Sequence, residues 1–281
     1  MAVWLVTGTS RGLGQHLVRE LLADGHQVAA ISRGSASGGN NHPALLELVA
    51  DLTVPAQVAA AVSATLERFG HIDTVLNNAG RGLLGAIEEA SDAEAREVFE
   101  LNLHGPLNVL RAVLPGFRAR RAGNVVNISS LAGQSGAASW GLYSASKFAL
   151  EGLSEALAKE TAALGVKVLI VEPGILRTEF LEDQSLLTSQ ARIDDYEASA
   201  GTARRSLAGN RGQQPGDPRL AARRIIDQVV AGLPDNGLAS RLILGSDAAR
   251  VISAKLALLT EQVAASAPLA GSIDFERGPA A

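Results

Sequence analysis

The sequence predicts an α/β fold: a doubly wound, parallel sheet of about seven strands with helices on both faces. Three observations carry that prediction. Short β-branched runs alternate with longer alanine-rich or amphipathic stretches along most of the chain. The short runs are apolar throughout, as strands covered on both faces are. A glycine-rich turn follows the first of them. Right-handed crossovers then wind the chain over both faces and place ligands outside the carboxyl ends of the strands.

The elements follow in order. Strands are read at Val3–Thr7 (VWLVT), Gln27–Ser32 (QVAAIS), residues 45–50 (LLELVA), Thr74–Asn77 (TVLN), 124–129 (NVVNIS), 167–172 (KVLIVE) and 241–244 (RLIL). Helical patterns lie between them at 14–24, Pro55–Phe69, 91–119, 143–164 and 218–231. Residues 180–218, rich in Ser, Gln, Gly and charge, break the rhythm; an irregular insertion of that length reads as a lid. The tail 248–281 reads as one helix to about residue 267, then a loose Pro/Gly end. The organisation expected is one domain over 1–247, including the lid, and a C-terminal helical extension over 248–281.

Composition narrows the function. The 281 residues carry 25 Lys+Arg against 29 Asp+Glu, a net charge of −4 with no electrostatic footprint for nucleic acid or an anionic membrane. The absence of cysteine excludes a disulfide framework, a thiolate metal site and a Cys nucleophile. The histidines, His16, His26, His42, His71 and His104, lack metal-ligand spacing, so no metal is expected. No apolar run reaches the ~18 residues of a membrane span. The N-terminus lacks a signal peptide's basic segment and cleavage site, and a cytoplasmic protein is expected.

The turn after the first strand reads Thr7-Gly8-Thr9-Ser10-Arg11-Gly12-Leu13-Gly14. Gly8 turns tightly off the strand, Gly12 lets backbone approach a pyrophosphate, and Gly14 lets helix and sheet pack closely. The helix that follows offers its unpaired N–H groups and positive dipole end to phosphate. About 20 residues on, an acid would hold the ribose 2′-hydroxyl of NAD. The second strand ends instead in Ser32-Arg33-Gly34. Arg33 and Arg11 together can grip a 2′-phosphate through forked, charge-assisted hydrogen bonds, so NADPH is expected over NAD.

Taken together, these motifs resemble the short-chain dehydrogenases/reductases, and the likeness covers roughly residues 3–180. The glycine turn is similar to the family's TGxxxGxG. Asp51-Leu52 resembles its acidic pair, whose carboxylate meets the adenine, and Asn77-Asn78-Ala79-Gly80 its NNAG, which supports the sheet and lines the adenine-ribose side. Asn102, Ser130, Tyr143 and Lys147 match the catalytic tetrad. Residues 173–178 match PGxxxT, whose Pro173 and Gly174 line the cofactor and whose Thr178 would contact the carboxamide. The resemblance implies a Rossmann-type sheet and NADP bound by Gly8, Ser10, Arg11, Gly12, Leu13, Gly14, Arg33, Asp51, Leu52, Asn78, Ala79, Gly80, Tyr143, Lys147, Pro173, Gly174 and Thr178. Two serines compete for one role: the family's serine stands thirteen residues before the tyrosine, and strand alternation lets only one neighbour face the pocket. That selects Ser130 over Ser129.

The chemistry needs these residue types. Tyr143 and Lys147 stand at i and i+4 and project from one helix face. A free phenol titrates near ~10, too high for proton transfer around neutrality. A nearby ammonium and a positive nicotinamide favour the phenolate; a three-unit drop corresponds to about 4 kcal/mol. Tyr143 is then general acid/base, Ser130 orients the substrate oxygen, and Lys147 lowers the Tyr143 pKa and binds ribose. The resemblance gives Asn102 a relay water, and the hydride is the cofactor's.

Other residues weigh less. His104 reads as helix packing, Asp194-Asp195 as a solvated turn, and Trp140 equally as pocket wall or loop packing. Apolar residues of the insertion (Phe180, Leu181, Leu186, Leu187, Ile193, Tyr196) favour a medium-sized apolar ketone or aldehyde. Residues 171–180 resemble a branch that includes retinol- and hydroxysteroid-type reductases. The expected function is an NADPH-dependent oxidoreductase acting on a carbonyl or secondary alcohol. The alternatives are an isomerase or lyase on the same core, or an NADP-binding redox sensor without turnover. The family's pairing of long helices implies a homodimer or homotetramer through the helices at 91–119 and 143–164.

Overall fold

The structure is a computed structural model that describes residues 1–34, 42–182, 184–209 and 212–275. Positions 183, 210 and 211 of the expected lid and 276–281 of the expected tail lie outside the described residues. The order is β1 (Val3–Thr7), α1 (Gly12–Ala23), β2 (Gln27–Ser32), β3 (Leu45–Val49), α2 (Pro55–Phe69), β4 (Thr74–Asn77), β5 (Gly82–Leu84), α3 (Asp92–Phe99), α4 (Gly105–Arg120), β6 (Gly123–Ile128), α5 (Gly141–Thr161), β7 (Val166–Pro173), β8 (Leu186–Thr188), α6 (Thr202–Gly209), α7 (Pro218–Val230), β9 (Ser240–Leu244) and α8 (Ser246–Ala270).

Seven strands form a parallel sheet in the order β3-β2-β1-β4-β6-β7-β9. The winding reverses between β1 and β4, so the loops after these two strands part and leave a crevice at their carboxyl ends. Alternation along β1 feeds two cores. Val3 and Leu5 pack with Val58, Val62, Val109, Val113 and Phe117 of α2 and α4 on one face. Trp4 and Val6 pack with Leu17 and Leu21 of α1 and Ile225, Ile226 and Val229 of α7 on the other. Each fully buried side chain of this size contributes about 1.5–3 kcal/mol, and β1 is buried over its whole length. The strand that carries the glycine turn is thus anchored along its whole length.

Four expectations are corrected. The strand read at 45–50 ends at Val49 and is an edge strand, with Glu47 and Val49 exposed, so its apolar run does not mean burial on both faces. The helix read at 91–119 is two helices joined by a π-helical turn, Glu100–His104. The insertion is less irregular than read. Its β8 pairs in parallel with β5, and it carries α6 and a second π-helical turn, Glu197–Gly201. Both strands have three residues and stand a hundred positions apart, too short and too distant for a periodicity signal. Finally, α8 begins at Ser246 and runs past residue 267, through Pro268, to Ala270. Only its start is docked, through buried Ala248 and Ile252, and residues 256–275 are all exposed. Alanines and sparse charge give Ser246–Ile273 an 18-residue window of mean hydropathy 1.2, long and apolar enough to cross a membrane by length and composition.

Candidate active site

The turn after β1 is shaped from both sides. Gly8 and Gly12 take φ of +70° and +56°, which favour glycine. An ideal β-carbon on Gly14 would lie 2.2 Å from the Gly8 carbonyl oxygen, so α1 closes on the turn only because that position is glycine. From the β4 end, Asn78 Nδ2 donates to the carbonyls of Thr7 and Gly8, both at 3.0 Å. Thr7 Oγ1 accepts from Asn78 N and Ala79 N at 3.1 and 3.2 Å. Helix α1 has no side-chain cap and no acid in its first turn, unlike α3 with its Ser91–Glu94 capping box and α7 with Asp217 at its start. Its first N–H groups are left for an anion.

One cavity of about 1170 Å³ runs from this turn to α5. It exceeds the ~300–1,000 Å³ of a usual small-molecule pocket, room for a dinucleotide and a second molecule. Gly8, Ser10, Arg11, Gly12, Leu13, Arg33, Leu52, Asn78, Ala79 and Gly80 line one part, and Ser130, Tyr143, Lys147, Pro173, Gly174 and Thr178 line the other. The open helix end and the glycine cradle therefore fit a pyrophosphate-bearing group.

Four expected contacts look different in the structure. Gly14 closes the turn against Gly8 and is not on the cavity wall. Asp51 is not on the wall, which is made by its neighbours Ala50 and Leu52. Its Oδ1 accepts from Thr53 N at 2.9 Å and Thr53 Oγ1 at 2.8 Å, and these bonds, with the Arg33 charge, hold its pKa below the usual carboxylate value. Arg11 lines the cavity but spends its guanidinium on the 180–218 insertion, donating to the side chain of Gln184 and, at 3.2 Å, to its carbonyl. Arg33 lines the wall and is exposed. The side chain of Asn102 does not reach the cavity. It is buried inside the π-helical turn, where Oδ1 accepts from Arg81 N at 2.9 Å and Nδ2 donates to Arg81 O at 2.9 Å and Ser146 Oγ at 3.0 Å. Both Nδ2 hydrogens are thus used, while Oδ1 keeps a second lone pair.

Helix α5 brings Tyr143 and Lys147 to one end of the cavity, where Trp140 and Phe180 flank the phenol with ring centroids 5.7 and 5.8 Å from it. Burial pushes the Tyr143 pKa up to about 12, against a side-chain hydrogen bond from Ser130. Burial pulls Lys147 down to about 8, against the charge of Glu151. Lys147 Nζ donates to Ile128 O at 2.8 Å and lies 6.0 Å from the Tyr143 ring centroid. Burial is the larger influence on both groups in the cofactor-free chain.

Ser129 and Ser130 both line the cavity and differ in their neighbours. Ser130 turns to Tyr143, while Ser129 turns to the carboxylate of Glu151. Glu151 is the next residue along the helix face of Tyr143 and Lys147, at i+8 and i+4, and burial raises its pKa. Arg241 bridges it at 2.6 Å and also pairs with buried Glu172, which accepts from Gln134 Nε2 at 2.9 Å. This ionic cluster behind the serines was not found in the sequence, although the repeat of four along α5 marks its first member. A second cluster fixes the 180–218 insertion: buried Glu89 accepts from Arg204 of α6 at 2.7 Å, Ala86 N at 2.9 Å and Ile193 N at 3.2 Å. Those bonds pull its pKa down to about 2. The far wall of the cavity is then Trp140, Phe180, Leu181, Ala203 and Leu207, an apolar group behind the phenol. His104 is exposed at the end of its turn, and Asp194 and Asp195 are solvated.

The family model described as short chain dehydrogenase matches residues 2–186. A 3-ketodihydrosphingosine reductase from Bacteroides thetaiotaomicron is 38% identical over 192 residues, 68% of this chain and 70% of that protein. The crystal structure of a short-chain dehydrogenase from Streptomyces avermitilis superposes with a TM-score of 0.87 at 35% identity, covering 98% of this chain and all of the other. A short-chain dehydrogenase from Burkholderia cenocepacia in complex with NADP matches with a TM-score of 0.71 at 27% identity, over 96% of this chain and 97% of the other.

Proposed function

The chain belongs to the short-chain dehydrogenase family of NAD(P)-dependent oxidoreductases, and we propose that it reduces an apolar ketone or aldehyde with NADPH. The observation that carries this reading is the meeting of Ser130, Tyr143 and Lys147 at one end of a cavity whose other end is a glycine cradle with Arg33 on its wall. Gly8, Gly12 and the open end of α1 would hold the pyrophosphate, Arg33 the 2′-phosphate, and Lys147 the ribose. A bound nicotinamide supplies the hydride.

The residues do the rest. Ser130 hydrogen-bonds the substrate carbonyl oxygen and sets its approach. Tyr143 gives that oxygen its proton. Burial alone holds the phenol neutral, near 12, so proton transfer relies on charge that favours the phenolate, from Lys147 and a bound nicotinamide. The Lys147 ammonium then stabilises the phenolate left behind. Asn102 acts through the π-helical backbone, its side chain being spent on Arg81 and Ser146. Trp140, Phe180, Leu181 and Leu207 exclude water and select an uncharged, apolar substrate. The Bacteroides relative, named for a keto substrate, agrees with that direction.

In this reading residues 1–247 act as one unit, with 180–218 as its lid. Exposed Phe148 on α5 supports pairing of that helix with a second copy. The test is a panel of carbonyl compounds assayed in parallel with NADPH and NADH by nicotinamide absorbance. Turnover of an apolar ketone or aldehyde with NADPH is expected. Tight NADPH binding without turnover of any panel member would replace the enzyme by a sensor.

A further inference from the structure

Helix α8 meets the site at its first turn. Asp247, in the first turn of α8, accepts the Ile175 N–H on Oδ2 at 2.8 Å. Its Oδ1 lies 2.0 Å from where a β-carbon on Gly174 would stand, and 2.5 Å from the corresponding point on Gly245, whose φ is +106°. Pro173, Gly174 and Ile175, the turn leaving β7, all line the cavity. The ladder beneath is continuous, with Gly174 N donating to Leu244 O at 2.7 Å. An acid in a helix's first turn is ordinarily read as a partner of the helix's own dipole. Here α8 receives no side-chain cap, and the Asp247 carboxylate is spent on a segment 72 residues away.

Resting on the proposed NADPH site, we propose that Asp247 is a positioning residue for that site: it fixes the Pro173–Gly174–Ile175 turn against the nicotinamide half of the cavity, and Gly174 lacks a side chain in order to admit this carboxylate. Helix α8 is then a working part of the enzyme over its docked first two turns, where Ala248 and Ile252 are buried, and only beyond them a free helix.

The test is a double-mutant cycle in the full-length chain: wild type, Gly174→Ala, Asp247→Ala and the pair, with Asp247→Asn as the conservative variant. NADPH affinity and KM are read alongside ligand-free amide exchange at Ile175. Gly174→Ala is expected to weaken NADPH by about tenfold beside Asp247 but by less than about twofold in the Asp247→Ala background, because the clashing group is gone. Asp247→Ala should raise the NADPH KM more than it changes kcat and speed Ile175 exchange, whereas Asp247→Asn, which keeps an acceptor oxygen, should restore both. An equal Gly174→Ala penalty in both backgrounds overturns the proposal. So does unchanged Ile175 exchange in Asp247→Ala, a readout that needs no cofactor and also decides should Gly174→Ala fail to fold. A wild type that bound no dinucleotide would instead sink the proposed function, with the exchange result still deciding the role of Asp247.

Discussion

Lys147 Nζ lies 6.0 Å from the centre of the Tyr143 ring and gives its hydrogen bond to the carbonyl of Ile128 at 2.8 Å. The two groups share a helix face, yet burial drives them apart electrostatically, the phenol up to about 12 and the amine down to about 8. The protein by itself therefore holds a neutral acid beside a strained cation.

That strain predicts a trade of stability for function. The pKa of Lys147 falls on folding from 10.5 to about 8, so its charged form is disfavoured in the folded state. The penalty is full below pH 8, is relieved as pH rises from 8 to 10.5, and is gone above that range. Lys147→Met should be more stable than wild type at neutral pH, by about 1–3 kcal/mol, while losing nearly all activity. Denaturant unfolding at neutral and alkaline pH checks this, and the gain should shrink at the higher pH.

Ser129 and Ser130 separate one role from another. Ser130→Ala should lower kcat by roughly a hundredfold with NADPH affinity kept, since it removes a donor to the developing oxyanion. Ser129→Ala should leave kcat within about threefold of wild type and act, if on anything, on stability through Glu151. Steady-state kinetics of the two variants, run side by side, distinguish them.

Arg33 is the residue on which the choice of NADPH rests. Arg33→Ala should weaken NADPH by about ten- to a hundredfold, the worth of hydrogen bonds to a charged group, and leave NADH unchanged. Equal losses for both cofactors, by calorimetry, would move the 2′-phosphate site elsewhere.

The Glu89–Arg204 clamp predicts an acid transition. Glu89 has its pKa lowered from 4.5 to about 2, so its contribution is complete above pH 4.5 and is lost as pH falls toward 2. Arg204→Met strands the buried carboxylate, which should cost about 3–5 kcal/mol locally. Its expected signature is faster amide exchange over 186–207 and a raised carbonyl KM, with NADPH affinity little changed.

Much of this architecture was legible in the sequence, and the reasons for the exceptions are physical. Runs such as VWLVT at Val3–Thr7 carry their own signal, because a strand buried on both faces must be apolar at every position. The spacing of Gly8, Gly12 and Gly14 likewise encodes a local steric need. What the sequence hid is what depends on partners far along the chain. The pairing of Gly82–Leu84 with Leu186–Thr188, the Glu89–Arg204 clamp and the Glu151–Arg241–Glu172 bridge join positions roughly 70 to 115 apart, and beyond the place of Glu151 on the α5 face nothing local marks them. Asn102 shows the same limit: its position on a helix was readable, but the π-helical turn that spends its amide on Arg81 and Ser146 was not.

Tyr143→Phe addresses the proton donor directly. The full-length variant should bind NADPH within about twofold of wild type, because only one hydroxyl is removed from a buried ring, and its kcat for the best carbonyl substrate should fall by about a thousandfold. A variant that turned over that substrate within about tenfold of wild type would show that the proton reaches the carbonyl oxygen from another group.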